Sequence, residues 1–397
     1  MTRTVALLIE SSRAYGRGLL RGIARYLRTD HHWSVLQQER ALGDAPPDWL
    51  TRERLDGILA RVESPALAEC VRTLGVPAVD LRGLRPLAGV PVITTDEGAV
   101  ARMAADHLIE RGFRQFAFCG FGGADYSMAR MRQFTRYLEA TGHPVATYES
   151  PVMGLGADTS HIEAGAVPQH RELAEWLRSL PKPIGVMGCN DIRGRQVLDA
   201  CREAGIEVPD EIAAIGVDND DVLCDLSDPP MSSVIPDTGR IGLEAAALLD
   251  RMMRGQPAPE QPILIEPVGV ITRRSTDVLA VEDPQVAAAL RFIREHACNG
   301  INVEAVLDFL AGAGGGGGPV SRSTLDRRFH HTLGRSAKEE ILRVRLARVR
   351  QLLRETDEPL SNIASMVGIG HTEHLSVLFK RATGETPGTF RRRMNRL

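Results

Sequence analysis

Two periodicities share this chain, and one gives way to the other at a single place. Up to about residue 271, short apolar runs rich in Val, Ile and Phe alternate with amphipathic stretches, whereas from Asp283 onward only helical spacing recurs. The runs at residues 5–9, 33–36, 57–62, 78–81, 116–119, 184–187 and 213–217 have the length and the bounding turn residues of strands. Between them Leu19, Leu20, Ile23 and Leu27, and again Met103, Ala104, His107 and Leu108, recur at helical spacing. Such alternation requires crossover connections, hence a parallel sheet covered on both faces. Ligands of these sheets bind beyond the carboxyl ends of the strands, so the residues just after each strand carry the functional information.

Charge divides at the same place. The 397 residues carry a net charge of −3, which taken whole speaks against a nucleic-acid partner. From Pro284 to the end there are 18 Lys and Arg against 11 Asp and Glu, net +7; the remainder has 30 against 40, net −10. A basic segment attached to an acidic body is the pattern of a nucleic-acid module joined to something else. The six cysteines (Cys70, Cys119, Cys189, Cys201, Cys224, Cys298) have no CxxC spacing and read as core residues of a reducing compartment. The first apolar run is too short for a signal segment or a membrane span, so the expected location is the cytoplasm, with no membrane partner.

Several polar groups fall at strand ends. Tyr15 follows the first strand, Asn190 and Asp191 follow the run at 184–187, and Asp218 follows the run at 213–217, where Asn219, Asp220 and Asp221 continue it. Carboxylates, amides and an arginine such as Arg130 can bind the adjacent hydroxyls of a polyol, and an aromatic ring can cover a sugar face. Asp and Asn at such positions also cap the helices that follow. Two such clusters together with Tyr15 and Arg130 favour a shared polar pocket. The glycines at 120, 122 and 123 lack the spacing of a dinucleotide fingerprint and read as a tight loop.

The stretches GVPVITTD (89–96), AADHLIERGF (104–113), EAGIEVPDEI (203–212) leading to IGVD (215–218), and SSVIP (232–236) leading to IGLEAA (241–246) resemble the ligand domains of LacI/GalR-type regulators. The resemblance covers about two thirds of the chain. It implies an α/β, two-lobed periplasmic-binding-protein-like domain of type I with three crossings between lobes and a sugar in the cleft. Carried over by position, it makes Tyr15, Arg130, Asn190, Asp191 and Asp218 the ligand-binding residues. Pro236 stands where some relatives have a polar contact. LacI-type chains open with a DNA-binding headpiece, whereas this sequence is expected to enter its first strand at Val5.

After Asp283, helices are expected at 286–296 and 303–310, then one capped by Ser321 that turns Leu325 and Phe329 inward. A long helix at 338–354 leads to a short pair, 361–367 and 372–382, about a turn at Gly368. Two short-helix, turn, basic-helix units invite a double helix-turn-helix reading. RVRLARVRQLL (343–353), Ile363 and Ala364 before Gly368, and LFKR (378–381) through GETP (384–387) resemble the DNA-binding domains of AraC/XylS-type regulators. That resemblance assigns DNA contacts to Arg322, Ser323, Thr324, Arg327 and Arg328 in the first unit. In the second it assigns them to His371, Thr372, Glu373, His374, Ser376 and Lys380. His371 and His374 lack further ligands for a metal, and no cofactor is expected. The run Gly314 to Gly318 lengthens the turn before the first reading helix, and shortening it is not expected to weaken DNA binding.

The expected organisation is therefore a LacI/GalR-like ligand domain (1–275), a linker (276–284) and an all-α double helix-turn-helix domain (285–397). That order resembles the xylose-responsive family of regulators, including RAY (13–15) and REHAC (294–298). It implies a sugar-responsive DNA-binding transcription regulator, an activator of pentose catabolic genes rather than an enzyme. The implied partners are a double-stranded DNA operator, D-xylose or a related pentose, a second copy of the chain in a homodimer, and RNA polymerase. The competing reading is a cytoplasmic sugar-binding or sugar-modifying protein with a basic protein-interaction tail; no nucleophile and base pair, metal cluster or phosphate loop favours it. An exported binding protein is disfavoured by the basic module.

Overall fold

The computed structural model describes residues 2–29, 33–85, 87–150, 163, 170–277, 283–312 and 320–395. The chain divides into two compact units, residues 1–108 with 114–278, and residues 279–397 with 109–113. The glycine run at 314–318 and residues 278–282 of the expected linker lie outside the described residues.

The first unit holds two lobes. In one, β1 (Arg3–Leu8), β2 (Trp33–Gln37), β3 (Gly57–Ala60) and β4 (Ala78–Asp80) form a parallel sheet in the order β2-β1-β3-β4. Val5 pairs with Val35 on one side and Gly57 on the other. After β5 (Ile93–Thr95) the chain enters the other lobe, built on β6 (Phe116–Phe121), β7 (Val145–Ser150), β8 (Ile184–Gly188), β9 (Ile212–Val217) and β10 (Ser232–Ile235). It returns to pair β11 (Ile263–Ile265) with β5, then adds β12 (Gly269–Ile271) antiparallel to β10, giving the order β12-β10-β9-β8-β6-β7. The central strands β6, β8 and β9 are buried along their whole length, which is why they read as unbroken apolar runs.

The chain crosses between lobes three times, as the resemblance implied. The crossings are laced together: the Asp96 amide donates to the Ile265 carbonyl at 2.9 Å, and the Val268 amide to the Ile235 carbonyl at 2.8 Å. Helices α1 (Ala14–Leu27) and α2 (Pro65–Leu74) follow β1 and β3; α3 (Glu97–Ile109), α4 (Asp125–Ala140), α5 (His170–Ser179), α6 (Asp191–Ala204) and the short α7 (Asp221–Asp225) belong to the second lobe. Then α8 (Thr238–Met253) packs back on α1. That packing brings backbone to backbone: a Cβ on Gly22 would sit 2.1 Å from the Gly239 carbonyl oxygen. Val5, Leu19, Ile23, Leu59, Ile241 and Leu249 fill this lobe's core; Val186, Val197, Leu198, Ile212 and Met231 fill the other's.

The second unit is all helix. Asp283 caps α9 (Pro284–His296), its side chain accepting from the Gln285 and Val286 amides, with Pro284 at the first position where no donor is needed. Next come α10 (Val303–Ala311), α11 (Arg322–Leu333), α12 (Ala337–Glu355), α13 (Leu360–Met366), α14 (Thr372–Thr383) and α15 (Pro387–Asn395). Ser321 caps α11 as expected, accepting from Thr324, and Ser336 with Glu339 forms a reciprocal capping box on α12. Leu290, Ile293, Val306, Leu310, Leu325 and Phe329 share one core. The final helix was not foreseen; its start is held by Thr386, whose hydroxyl accepts from the Thr389 amide. Among the described residues no helix is long and apolar enough to cross a membrane.

Candidate functional site

A cavity of about 380 Å³ opens between the two lobes of the first unit. Tyr15, Arg130, Asn190, Asp191 and Asp218 all line it, each from the end of a strand or the first turns of the helix beyond. What their polar atoms do differs.

Four of the five are already engaged by the protein. Asn190 caps α6, its Oδ1 accepting from the Arg193 amide at 2.9 Å, while its Nδ2 donates to Glu163 at 2.8 Å and to the Tyr126 hydroxyl at 3.1 Å. Asp191 is fully buried. One carboxyl oxygen accepts from the Ser233 hydroxyl at 2.6 Å and the other from the Asp220 amide at 2.7 Å. Burial first, and the nearby Asp218 second, raise its pKa well above the carboxylate range. It ties the loop after β9 to β10.

Asp218 is different. Among the described residues its Oδ1 is buried with no hydrogen-bond partner, and its backbone sits at φ 104°, a region that a side chain enters only at a cost of roughly 1–3 kcal/mol. Burial pushes its pKa up to about 6, against the opposing pull of Arg130. A strained residue holding an open acceptor against a cavity is the strongest local sign of a ligand.

Arg130 reaches three acceptors: Nε to Glu97 Oε2 at 2.5 Å, Nη2 to Glu97 Oε1 at 3.3 Å and Nη1 to the Cys189 carbonyl at 2.6 Å. Burial opposes its charge, but Glu97 and Asp218 more than offset that and hold it firmly protonated. Tyr15 donates to or accepts from the Thr95 hydroxyl at 2.8 Å, and the Arg61 guanidinium lies over its ring at 4.9 Å. Arg61 is itself held by Glu10 and, at 3.3 Å, by Glu63.

Sequence reasoning missed Glu97, Tyr126, Glu163, Arg13, Arg61 and Arg82, which also line the cavity. Arg13 pairs with Glu163 at 2.5 Å, and Tyr126 donates to Glu163 at 2.8 Å. The strand-end rule applied to β5 would have found Glu97, two residues past Thr95. Nothing local marks Glu163, which meets its partners across 37 and 150 residues of chain.

In the second unit the expected DNA contacts fall on α11 and α14 and on their caps. Arg322, Ser323, Arg327, His371, Glu373, His374 and Lys380 are exposed; Thr324, Arg328, Thr372 and Ser376 are half-buried. The buried faces are Leu325, Phe329 and Leu333 on α11 and Leu375 and Phe379 on α14. Arg328 turns back to its own domain, with Nη1 donating to Gln285 at 2.5 Å and 3.4 Å from Asp283. Arg322 pairs with Glu304 at 2.9 Å on the surface.

Residues 105–276 match the periplasmic binding protein-like domain and residues 319–393 a helix-turn-helix domain. Over 395 residues the chain is 31% identical to the xylose operon regulatory protein of Haemophilus influenzae, covering 98% of this chain and 97% of that one. It is 32% identical over 397 residues to the protein of the same name from Escherichia coli, covering 98% and 96%. The solved structure of the xylose-binding transcription activator xylR superposes with a TM-score of 0.59 at 30% identity, over 99% of this chain and 98% of that one. A transcriptional regulator CelR-cellobiose complex shares the fold of the first unit, with a TM-score of 0.53 over 69% of this chain and 85% of that one at 21% identity. With relatives above 30% identity aligned over nearly the whole of both chains, the chain belongs to the family of xylose operon regulatory proteins.

Proposed function

We propose that this chain is a sugar-responsive transcription regulator that takes a monosaccharide, D-xylose or a related pentose, in the interlobe cavity and presents α11 and α14 to a DNA operator. One observation carries the ligand half: the carboxyl oxygen of Asp218 that has no partner among the described residues, in a cavity that also offers Arg, Glu, Asn and Tyr side chains. A sugar hydroxyl donates to that oxygen. The volume lies at the small end of ligand pockets, roughly 300–1,000 Å³, and suits one sugar ring better than a chain of them. The names of the full-length relatives support xylose in particular.

Regulation follows from linkage. A sugar that closes the cleft alters DNA affinity only by binding the DNA-competent arrangement more tightly, and a near-complete switch takes about 5.5 kcal/mol. A homodimer divides that between two sugars, and activation adds a contact to RNA polymerase.

A thermal-shift panel of D-xylose, L-arabinose, D-ribose and hexoses tests the ligand, and a mobility-shift assay on the chain's own upstream DNA, with and without the best sugar, tests the regulator. No stabilisation by any pentose refutes the first half; no specific complex refutes the second.

A further inference from the structure

The turn that ends α9 and the turn that precedes α14 touch backbone to backbone. Gly300 closes the short turn Ala297–Asn299 at φ +80°, and Gly368 follows α13 at φ +67°. A Cβ on Gly368 would stand 2.5 Å from the Gly300 nitrogen and 2.9 Å from the Cys298 carbonyl oxygen. Both are backbone atoms, so nothing can swing aside to admit it. Arg345, midway along α12, grips the same turn: Nε donates to the Ala297 carbonyl at 2.8 Å and Nη2 to the Ile301 carbonyl at 2.6 Å.

The turn belongs to the first helix-turn-helix module, because Ala297 and Val303 lie in the core that also holds Leu325 and Phe329 of α11. Gly368 belongs to the second, between Val367 and Ile369, both buried. Among the described residues the two modules are joined through α12, which packs against helices of both, and by this contact beside it. Side-chain packing along one helix can slip, whereas a backbone-on-backbone contact beside it cannot be repacked and so limits rotation of one module against the other.

We propose that this junction fixes the spacing and rotation between α11 and α14, making Gly368 and Arg345 positioning residues for reading a two-part operator at one set spacing. The inference rests on the DNA-binding reading above. Inserting one base pair between the two parts rotates the second by about 34°, since a DNA turn takes about 10.5 pairs. A rigid reader then loses a module's contacts, and a loosened one follows the DNA.

The test uses the full chain and the tightest duplex that the unchanged chain recovers from a randomised library, together with versions carrying one base pair more or fewer between the two protected segments. The unchanged chain should lose about tenfold or more in affinity on either altered duplex, comparable to a mismatched base contact. Gly368→Ala should bind the original duplex about tenfold more weakly, with protection shrunk to one segment and the spacing preference lost. Arg345→Lys keeps the charge, cannot hold both carbonyls and brings no clash; it should flatten the preference without abolishing binding. Gly334→Ala, after α11 and outside the junction, is the control: at φ +71° it carries the same kind of backbone strain with nothing among the described residues within 4 Å of the new Cβ, so its spacing preference should persist. Full protection and an intact preference in both Gly368→Ala and Arg345→Lys overturn the proposal, as does equal loss of preference in Gly334→Ala. If the unchanged chain recovers no sequence, the regulator reading fails before any variant is compared, and the positioning role falls with it.

Discussion

Glu97 and Arg130 meet through two hydrogen bonds, Nε to Oε2 at 2.5 Å and Nη2 to Oε1 at 3.3 Å, at the wall of the interlobe cavity. Glu97 is also among the charges that raise the pKa of Asp218. Glu97→Gln therefore has two effects. Losing the charge-assisted bonds lowers stability by roughly 1–3 kcal/mol, read as a lower Tm. Removing the negative charge also lets the Asp218 pKa fall, so the midpoint of any pH-dependent sugar binding moves to lower pH; calorimetric titration between pH 5 and 8 would show it, and an unmoved midpoint would count against the coupling.

Asp218 is predicted to trade stability for binding. With a folded-state pKa of about 6 against an unfolded value of 3.8, its contribution to stability is present below pH 3.8 and lost as pH rises through 6. Asp218→Asn, uncharged throughout, should raise the Tm of the sugar-free protein at pH 7.5, and the advantage should vanish near pH 3.8. The same variant should bind its sugar about tenfold to a hundredfold more weakly, because a charge-assisted hydrogen bond is lost. In the unchanged protein, affinity should decline as pH falls below 6. A variant with full affinity would remove Asp218 from the site.

Asp191 should behave as a brace. Its two oxygens already accept from Ser233 and the Asp220 amide, so Asp191→Ala leaves buried donors unpaired at roughly 1–3 kcal/mol. Asp191→Asn keeps an acceptor and should recover part of the Tm and part of the sugar affinity together. If affinity alone collapses in Asp191→Asn while Tm holds, the side chain contacts the sugar directly.

Arg327 and Arg328 are adjacent on α11 and should give opposite signatures. Arg327 is exposed, and Arg327→Ala should weaken operator binding and reduce the slope of log affinity against log salt by about one. Arg328 is tied to Gln285 and Asp283, so Arg328→Ala should lower the Tm and leave the salt slope unchanged. Binding isotherms at four salt concentrations, beside melting curves, separate the two.

How much of this was readable beforehand depended on how locally each feature is encoded. The buried strands β6, β8 and β9 announce themselves because both faces of a parallel sheet are covered. β5, β7, β10, β11 and β12 were missed: Thr or Ser fills half or more of β5 and β10, β11 and β12 are only three residues long, and β7 mixes polar with apolar residues, so none leaves a clear run to detect. Asn190 and Asp220 expose a false choice, since capping and lining the cavity looked like alternatives and both residues do both. Which carboxylate meets Arg130, and that Glu163 joins Arg13, Tyr126 and Asn190, depends on tertiary approach, which no spacing in the chain encodes.

The close packing of α1 on α8 bears on the order of biosynthesis. Residues 14–27 emerge from the ribosome some two hundred positions before the glycine-bearing helix that must seat against them, and β5 likewise waits for its partner β11. The strands of the second lobe from β6 to β10 lie within one continuous stretch and can assemble first. Until α8 and β11 have been added the earliest-made lobe cannot close, with Leu19 and Ile23 uncovered and β5 unpaired, and that interval leaves a nascent chain of this design open to chaperones or to misassociation.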